Sequence, residues 1–199
     1  MKLWLVRHAQ TEAVPGLCYG ALDVAAPRQA TQAVAARVAP LLPPGLALQT
    51  SPLSRCAQLA DALQARQPVA TRCIDPRLAE MDFGRWEGQL WSAIARAEFD
   101  AWLGNFGDAP AGVTGESTRR FMQRVGAVLD EVRATGRDTL WVTHAGVMRA
   151  VQLLQQGVRF PARANEWPAA PIDFGACWSI DLDGALSPAS TPSFSSSSS

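Results

Sequence analysis

Apolar positions along the chain fall into two spacings. Short apolar runs occur at 3–6, 46–49, 69–74 and 140–143, and residues 177–182 alternate apolar with polar; runs this short, bounded by turn residues, predict strands. Between them, 52–66 places Leu53, Ala57, Ala60 and Leu63 on one face, and 116–134 does the same with Phe121, Val125, Val128 and Val132. That is the spacing of amphipathic helices. Ser51 followed by Pro52 predicts an N-cap and a first helical position, and Gly112 to Gly115 is a turn-rich lead into the longer helix. Strands that alternate with helices predict an α/β layered fold.

Composition narrows the class. With 199 residues and 48% hydrophobic content the chain can bury one substantial core, so one domain is expected. Lys and Arg total 18 and so do Asp and Glu, which disfavours nucleic acid as a partner. No run approaches the ~18 apolar residues of a membrane span, and Arg7 interrupts MKLWLV before it could serve as a signal-peptide core. A cytoplasmic protein is expected, with no membrane partner. The 4 cysteines, Cys18, Cys56, Cys73 and Cys177, show no CxxC spacing and predict reduced structural thiols among apolar or small neighbours. The Ser/Pro-rich stretch 186–199 predicts a disordered tail after a folded part spanning 1–185.

The chain has 2 histidines, and each follows a strand: LVRHA places His8 after the first, WVTHA places His144 after the fourth. Ligands of open α/β sheets gather outside the carboxyl ends of strands, so both imidazoles should share one face. Arg55 falls in the first turn of its helix, where the dipole disfavours a cation, and Arg7 ends a buried strand, where an unpaired charge costs several kcal/mol. Two such arginines beside a helix N-terminus predict an anion site of the phosphate type. Two isolated histidines make no metal site, and no HExxH, G-x-S-x-G, P-loop or G-x-G-x-x-G motif occurs. Phosphomonoester cleavage also needs a proton donor for the leaving oxygen. The segment LAEMDFGRWEG offers Glu80, Asp82 and Glu87; in an extended chain Glu80 and Asp82 point the same way, so periodicity leaves that choice open.

In order, LVRHAQT, TSPLSR, LAEMDFGRWEG, GES and VTHAG resemble the histidine phosphatase superfamily, which includes the phosphoglycerate mutases. The resemblance spans residues 2 to 182. It implies a three-layer α/β/α sandwich with a mostly parallel sheet and a metal-independent phosphatase without a cofactor. His8 would be the nucleophile that becomes a phosphohistidine, with Arg7, Arg55 and His144 binding the phosphoryl oxygens and Glu80 the general acid. Thr11, Ala145 and Gly146 would line the pocket, and the partner would be a small phosphorylated metabolite. Val14 stands where many members carry Asn, and APRQATQA lacks the common glycine before Gln-Ala. PGLCYG-LD, EMDFGRWEG and GACWSIDLD are most similar to the α-ribazole phosphatases of cobalamin nucleotide-loop assembly. A phosphoglycerate mutase or a broad sugar-phosphate phosphatase is the enzymatic alternative. The short insert before GES lacks the paired arginines a mutase uses to keep its phosphoglycerate. A non-catalytic phospho-ligand binding module is the alternative of another class. Trp91, Trp102, Phe106 and Met122 are candidates for a leaving-group pocket against a flat base.

Overall fold

The structure is a computed structural model that describes residues 1–182; the Ser/Pro-rich stretch 186–199 lies outside them. Five strands form one sheet: β1 (Lys2–Arg7), β2 (Ala47–Thr50), β3 (Thr71–Ile74), β4 (Thr139–Thr143) and β5 (Cys177–Asp181), in the order β3-β2-β4-β1-β5. All neighbouring pairs are parallel except β1 with β5. All five expected strands are present.

Alternation of side chains across the pleat explains the layers. Leu3 and Leu5 of β1 and Trp141 of β4 join one core, whereas Val6, Leu140 and Val142 join the other. Helices α4 (Thr118–Thr135) and α5 (Ala145–Gln155) cover the first core, through Phe121, Val125, Val128, Val147 and Val151. Helices α1 (Arg28–Val38) and α2 (Ser54–Gln64) cover the second. A fifth helix, α3 (Arg96–Gly104), lies in the excursion between β3 and α4. The result is the three-layer, mostly parallel α/β/α fold. Helix α4 is bounded as its sequence dictates: the Ser117 hydroxyl accepts from the Arg120 N–H, and Gly136 ends the helix in the left-handed region at φ 64°.

Three expectations need correction. The run 69–74 is strand only from Thr71, and all four strand residues are exposed, because β3 is an edge strand rather than part of the core. Cys73 therefore carries an exposed thiol, unlike buried Cys18 and Cys56. Helix α2 starts at Ser54 rather than Pro52, and Ser51 is not its N-cap. The cap comes from a distant loop, where Asp23 Oδ1 accepts from the Ser54 N–H at 2.8 Å and the Ser54 hydroxyl at 2.7 Å.

Candidate active site

Register brings the two histidines together. Strands β1 and β4 pair in parallel with Arg7 opposite Thr143, so His8 and His144 leave the sheet side by side. The His8 N–H donates to the Thr143 carbonyl at 3.0 Å, and the rings meet edge-on with centroids 5.2 Å apart. Both are buried. His8 Nδ1 lies 2.7 Å from the Ala9 carbonyl. A carbonyl only accepts, so Nδ1 carries the proton and Nε2 keeps a free lone pair. Burial pushes the His8 pKa down to about 3, with the Arg55 and Arg7 charges adding to the effect and the Ala9 carbonyl opposing it. His144 is likewise held well below its ordinary value by burial and then by neighbouring positive charge. Both imidazoles are neutral at pH 7.

Arg55 is fully buried. Its Nη2 donates to Gly20 O at 2.6 Å, its Nη1 to Leu22 O at 2.9 Å and its Nε to His144 Nδ1 at 3.3 Å. The charge is thus compensated in part by backbone dipoles, and His144 Nδ1 is an acceptor. His144 Nε2 then carries the other proton, 2.8 Å from the Ser51 hydroxyl. Arg7 uses one guanidinium nitrogen on the Ile172 carbonyl, and its Cζ lies over the Phe174 ring, 3.9 Å from the centroid. Phe174 also reaches the His8 ring, centroid to centroid 5.6 Å. The Arg7 Nε is buried without a partner, and burial lowers the Arg7 pKa. A buried, incompletely paired guanidinium favours an anion.

The three carboxylates of LAEMDFGRWEG separate by geometry. Asp82 is exposed and caps a turn through the Gly84 N–H at 2.8 Å. Glu87 accepts from the backbone N–H groups of Gly20, Ala21, Leu22 and Phe83 at 2.8–3.1 Å, which ties the loop after β1 to this segment. Gly20 is needed there, because a Cβ would stand 1.8 Å from the Met81 carbonyl. Glu80 lines the cavity of the two histidines, and its Oε2 accepts from the Gly146 N–H at 3.0 Å. Arg124 of α4 holds the backbone of this carboxylate in place. Its guanidinium donates to the carbonyls of Arg77, Ala79 and Glu80 at 2.6–2.9 Å while paired with Glu116.

Arg7, His8, Arg55, Glu80, His144 and Ala145 line one polar cavity of about 200 Å³. Ala145 opens α5, so its N–H is among the unpaired donors of a first helical turn. Thr11 is buried behind this wall, where its hydroxyl bonds to Tyr19 at 3.1 Å, and Tyr19 itself lines the cavity. Val14 is exposed and takes no part in the lining.

A second, apolar cavity of about 350 Å³ adjoins the first; Glu80, Phe83, Trp91 and Arg149 line both. Its walls include Trp102, Phe106 and Trp167, joined by edge contacts from Trp102 to Phe106 (5.1 Å) and from Phe106 to Trp167 (6.1 Å). Met122 does not line it; that side chain is wholly buried in the core beneath.

A model of the Histidine phosphatase superfamily (branch 1) matches residues 3–167. The chain belongs to this superfamily. A curated relative from Hydrogenobacter thermophilus, provisionally named phosphoserine phosphatase 2, is 32% identical over 164 residues, 79% of each chain. A structure from Escherichia coli str. K-12, provisionally an alpha-ribazole-5'-P phosphatase, superposes with a TM-score of 0.77 at 26% identity, over 92% of this chain and 91% of that one. A mycobacterial glucosyl-3-phosphoglycerate phosphatase, with a TM-score of 0.74 at 24% identity over 90% of each chain, shares the fold.

Around the two cavities of this histidine phosphatase stand several side chains that sequence reasoning passes over. Phe174 belongs to a segment with no periodicity. Arg149 lies on α5, one turn beyond Ala145, and Phe83, Phe99, Phe121 and Trp167 complete the aromatic cavity. The one signal for Arg149 is a cation within the apolar run AGVMRAVQLL after His144.

Proposed function

We propose that this phosphatase cleaves phosphomonoesters through a phosphohistidine on His8, and that α-ribazole 5'-phosphate is its substrate. His8 Nε2 attacks phosphorus as the bond to the leaving oxygen breaks, and Glu80 gives that oxygen its proton. Water then attacks the phosphohistidine and passes a proton to Glu80, which releases inorganic phosphate and restores His8. The transition state spreads charge over three equatorial oxygens; Arg7, Arg55 and Ala145 line the cavity where that charge forms, and the His144 Nε2–H joins them by exchanging the Ser51 hydroxyl for a phosphoryl oxygen. The buried neutral state of His8 supports the nucleophile role, because a protonated imidazole has no lone pair to offer at Nε2.

The observation that carries the substrate reading is the aromatic cavity opening beside Glu80, where a leaving group must lie. It offers ring edges and faces to a flat base. The placement of Glu80 at the junction favours turnover over mere binding, since a binding module has no use for a proton donor.

The test is phosphate release from α-ribazole 5'-phosphate, 3-phosphoglycerate and p-nitrophenyl phosphate in EDTA, with His8→Ala as blank. Strong selectivity for the first is expected, together with an acid-labile, base-stable phosphoenzyme absent from His8→Ala. Equal weak hydrolysis of all three would overturn the substrate; no release and no phosphoenzyme would overturn the chemistry.

A further inference from the structure

Arg149 stands at the waist where the polar and aromatic cavities meet. It is half-buried, and burial lowers its pKa, with Glu80 opposing. Among the described residues no carboxylate lies within ion-pair distance of it. Its Nη2 is tethered to the Ala170 carbonyl at 3.1 Å, and its Nε is buried without a partner. The guanidinium is therefore fixed by backbone at one nitrogen, while its charge has Glu80 acting on it from beyond ion-pair distance and no paired carboxylate. A desolvated cation of this kind gains most from an oxygen acceptor brought by a ligand. The phosphoryl group already has two arginines, an imidazole and a helix terminus around it. The waist corresponds to the part of a substrate between its phosphoryl group and its ring.

We infer that Arg149 is a specificity-determining residue that binds oxygen atoms on the spacer joining the phosphoryl group to the rest of the leaving group, which selects sugar-like phosphomonoesters over plain alkyl ones. The inference rests on the proposal that the leaving group passes from the histidine cavity into the aromatic one. It goes beyond that proposal by assigning the discrimination to one side chain. The Nη1 donors supply the contact, and the Ala170 tether sets their position. Because the contact lies away from phosphorus, it acts on binding rather than on the chemical step.

Two simple primary alkyl phosphates separate the possibilities. Ribose 5-phosphate has spacer oxygens and no planar ring, while benzyl phosphate has a planar ring and no oxygen beyond the ester. Arg149→Met should raise KM for ribose 5-phosphate by about tenfold or more, the loss of one charge-assisted hydrogen bond. It should leave kcat nearly unchanged and keep kcat/KM for benzyl phosphate within about twofold. Arg149→Lys, which keeps the charge and loses the fork, should show a smaller rise with the same selectivity, and it serves if the Met variant does not fold. Equal losses on both substrates would overturn the inference by placing Arg149 on the phosphoryl group, and no loss on either would overturn it by leaving Arg149 no role. If the wild-type protein cleaves both simple esters but not α-ribazole 5'-phosphate, the substrate proposal fails, and the two simple esters still decide the role of Arg149.

Discussion

The N–H of Gly146 donates to Glu80 Oε2 at 3.0 Å, and a Cβ on residue 146 would lie 2.0 Å from Glu80 Oε1. The absence of a side chain at 146 is what lets the carboxylate settle against the first turn of α5. Gly146→Ala should displace Glu80 from the cavity and lower kcat by about a hundredfold, in the range of general acid catalysis. The melting temperature should change little, because Gly to Ala in a helix is by itself favourable. Steady-state kinetics with an alkyl phosphate measure this, and unchanged kcat would show that Glu80 needs no such support.

Acid should destabilise the protein through its imidazoles. The folded-state pKa of His8 is about 3 and that of His144 is also depressed, whereas an unfolded imidazole titrates near 6.5. Below that value the unfolded chain binds protons that the folded chain refuses, so stability falls as pH drops from the unfolded pKa toward the folded ones. Each histidine contributes a slope of up to about 1.4 kcal/mol per pH unit. His8→Gln should remove about one proton from the uptake on unfolding near pH 5, read from urea melts across pH. The same slope in both proteins would show that His8 is charged in the folded state.

Arg124 joins α4 to the chain around Glu80, and its loss leaves the half-buried Glu116 without its ion-pair partner. Arg124→Met should cost roughly 1.5–3 kcal/mol, the scale of losing hydrogen bonds to a charged group, and reduce kcat. Adding Glu116→Gln removes the stranded charge, so it should restore part of the stability while kcat stays low. Thermal melts and kinetics on the single and double variants separate the two effects; recovery of both together would make Arg124 a purely structural residue.

Phe174 touches Arg7 and His8 from a segment that follows no strand or helix. A ring under a guanidinium contributes ~0.5–2 kcal/mol, so Phe174→Ala should weaken inhibition by orthovanadate and inorganic phosphate several-fold or more. Phe174→Tyr keeps the ring and should behave nearly as the wild type. Equal inhibition constants in all three proteins would remove Phe174 from the oxyanion site.

Local pattern suffices where structure is local. The apolar runs of β1 and β4 are legible because both strands are covered on two faces, and α4 because its apolar stripe meets one core. Strand β3 is legible as a strand, but its short composition does not tell an edge strand of exposed residues from a buried one. Helix α5 carries only a narrow polar stripe, Arg149, Gln152 and Gln155, set three apart among apolar residues, and it is not singled out as a helix by sequence alone. At the site, Arg7, His8, Arg55, Glu80 and His144 are all candidates on sequence grounds, and they surround one cavity. Ser51 looks like a cap because Ser-Pro precedes a helix; its hydroxyl instead meets His144, a contact made by the pairing of β2 with β4. Phe174 comes from a segment without periodicity, and Arg149, though on α5, is tethered by the Ala170 carbonyl of a loop that reaches it only in the folded chain, so no spacing in the sequence encodes either placement.

The parallel register of β1 and β4 has a consequence for how this protein can vary. The separation of the two imidazoles is set by one rung of the backbone ladder, not by any loop, so insertions between Thr11 and Asp138 lengthen the path between His8 and His144 without moving either. Most of the aromatic wall lies in that same interval, between β3 and the start of α4. The walls of the aromatic cavity can therefore be rebuilt in length and composition while the two histidines stay where the sheet puts them.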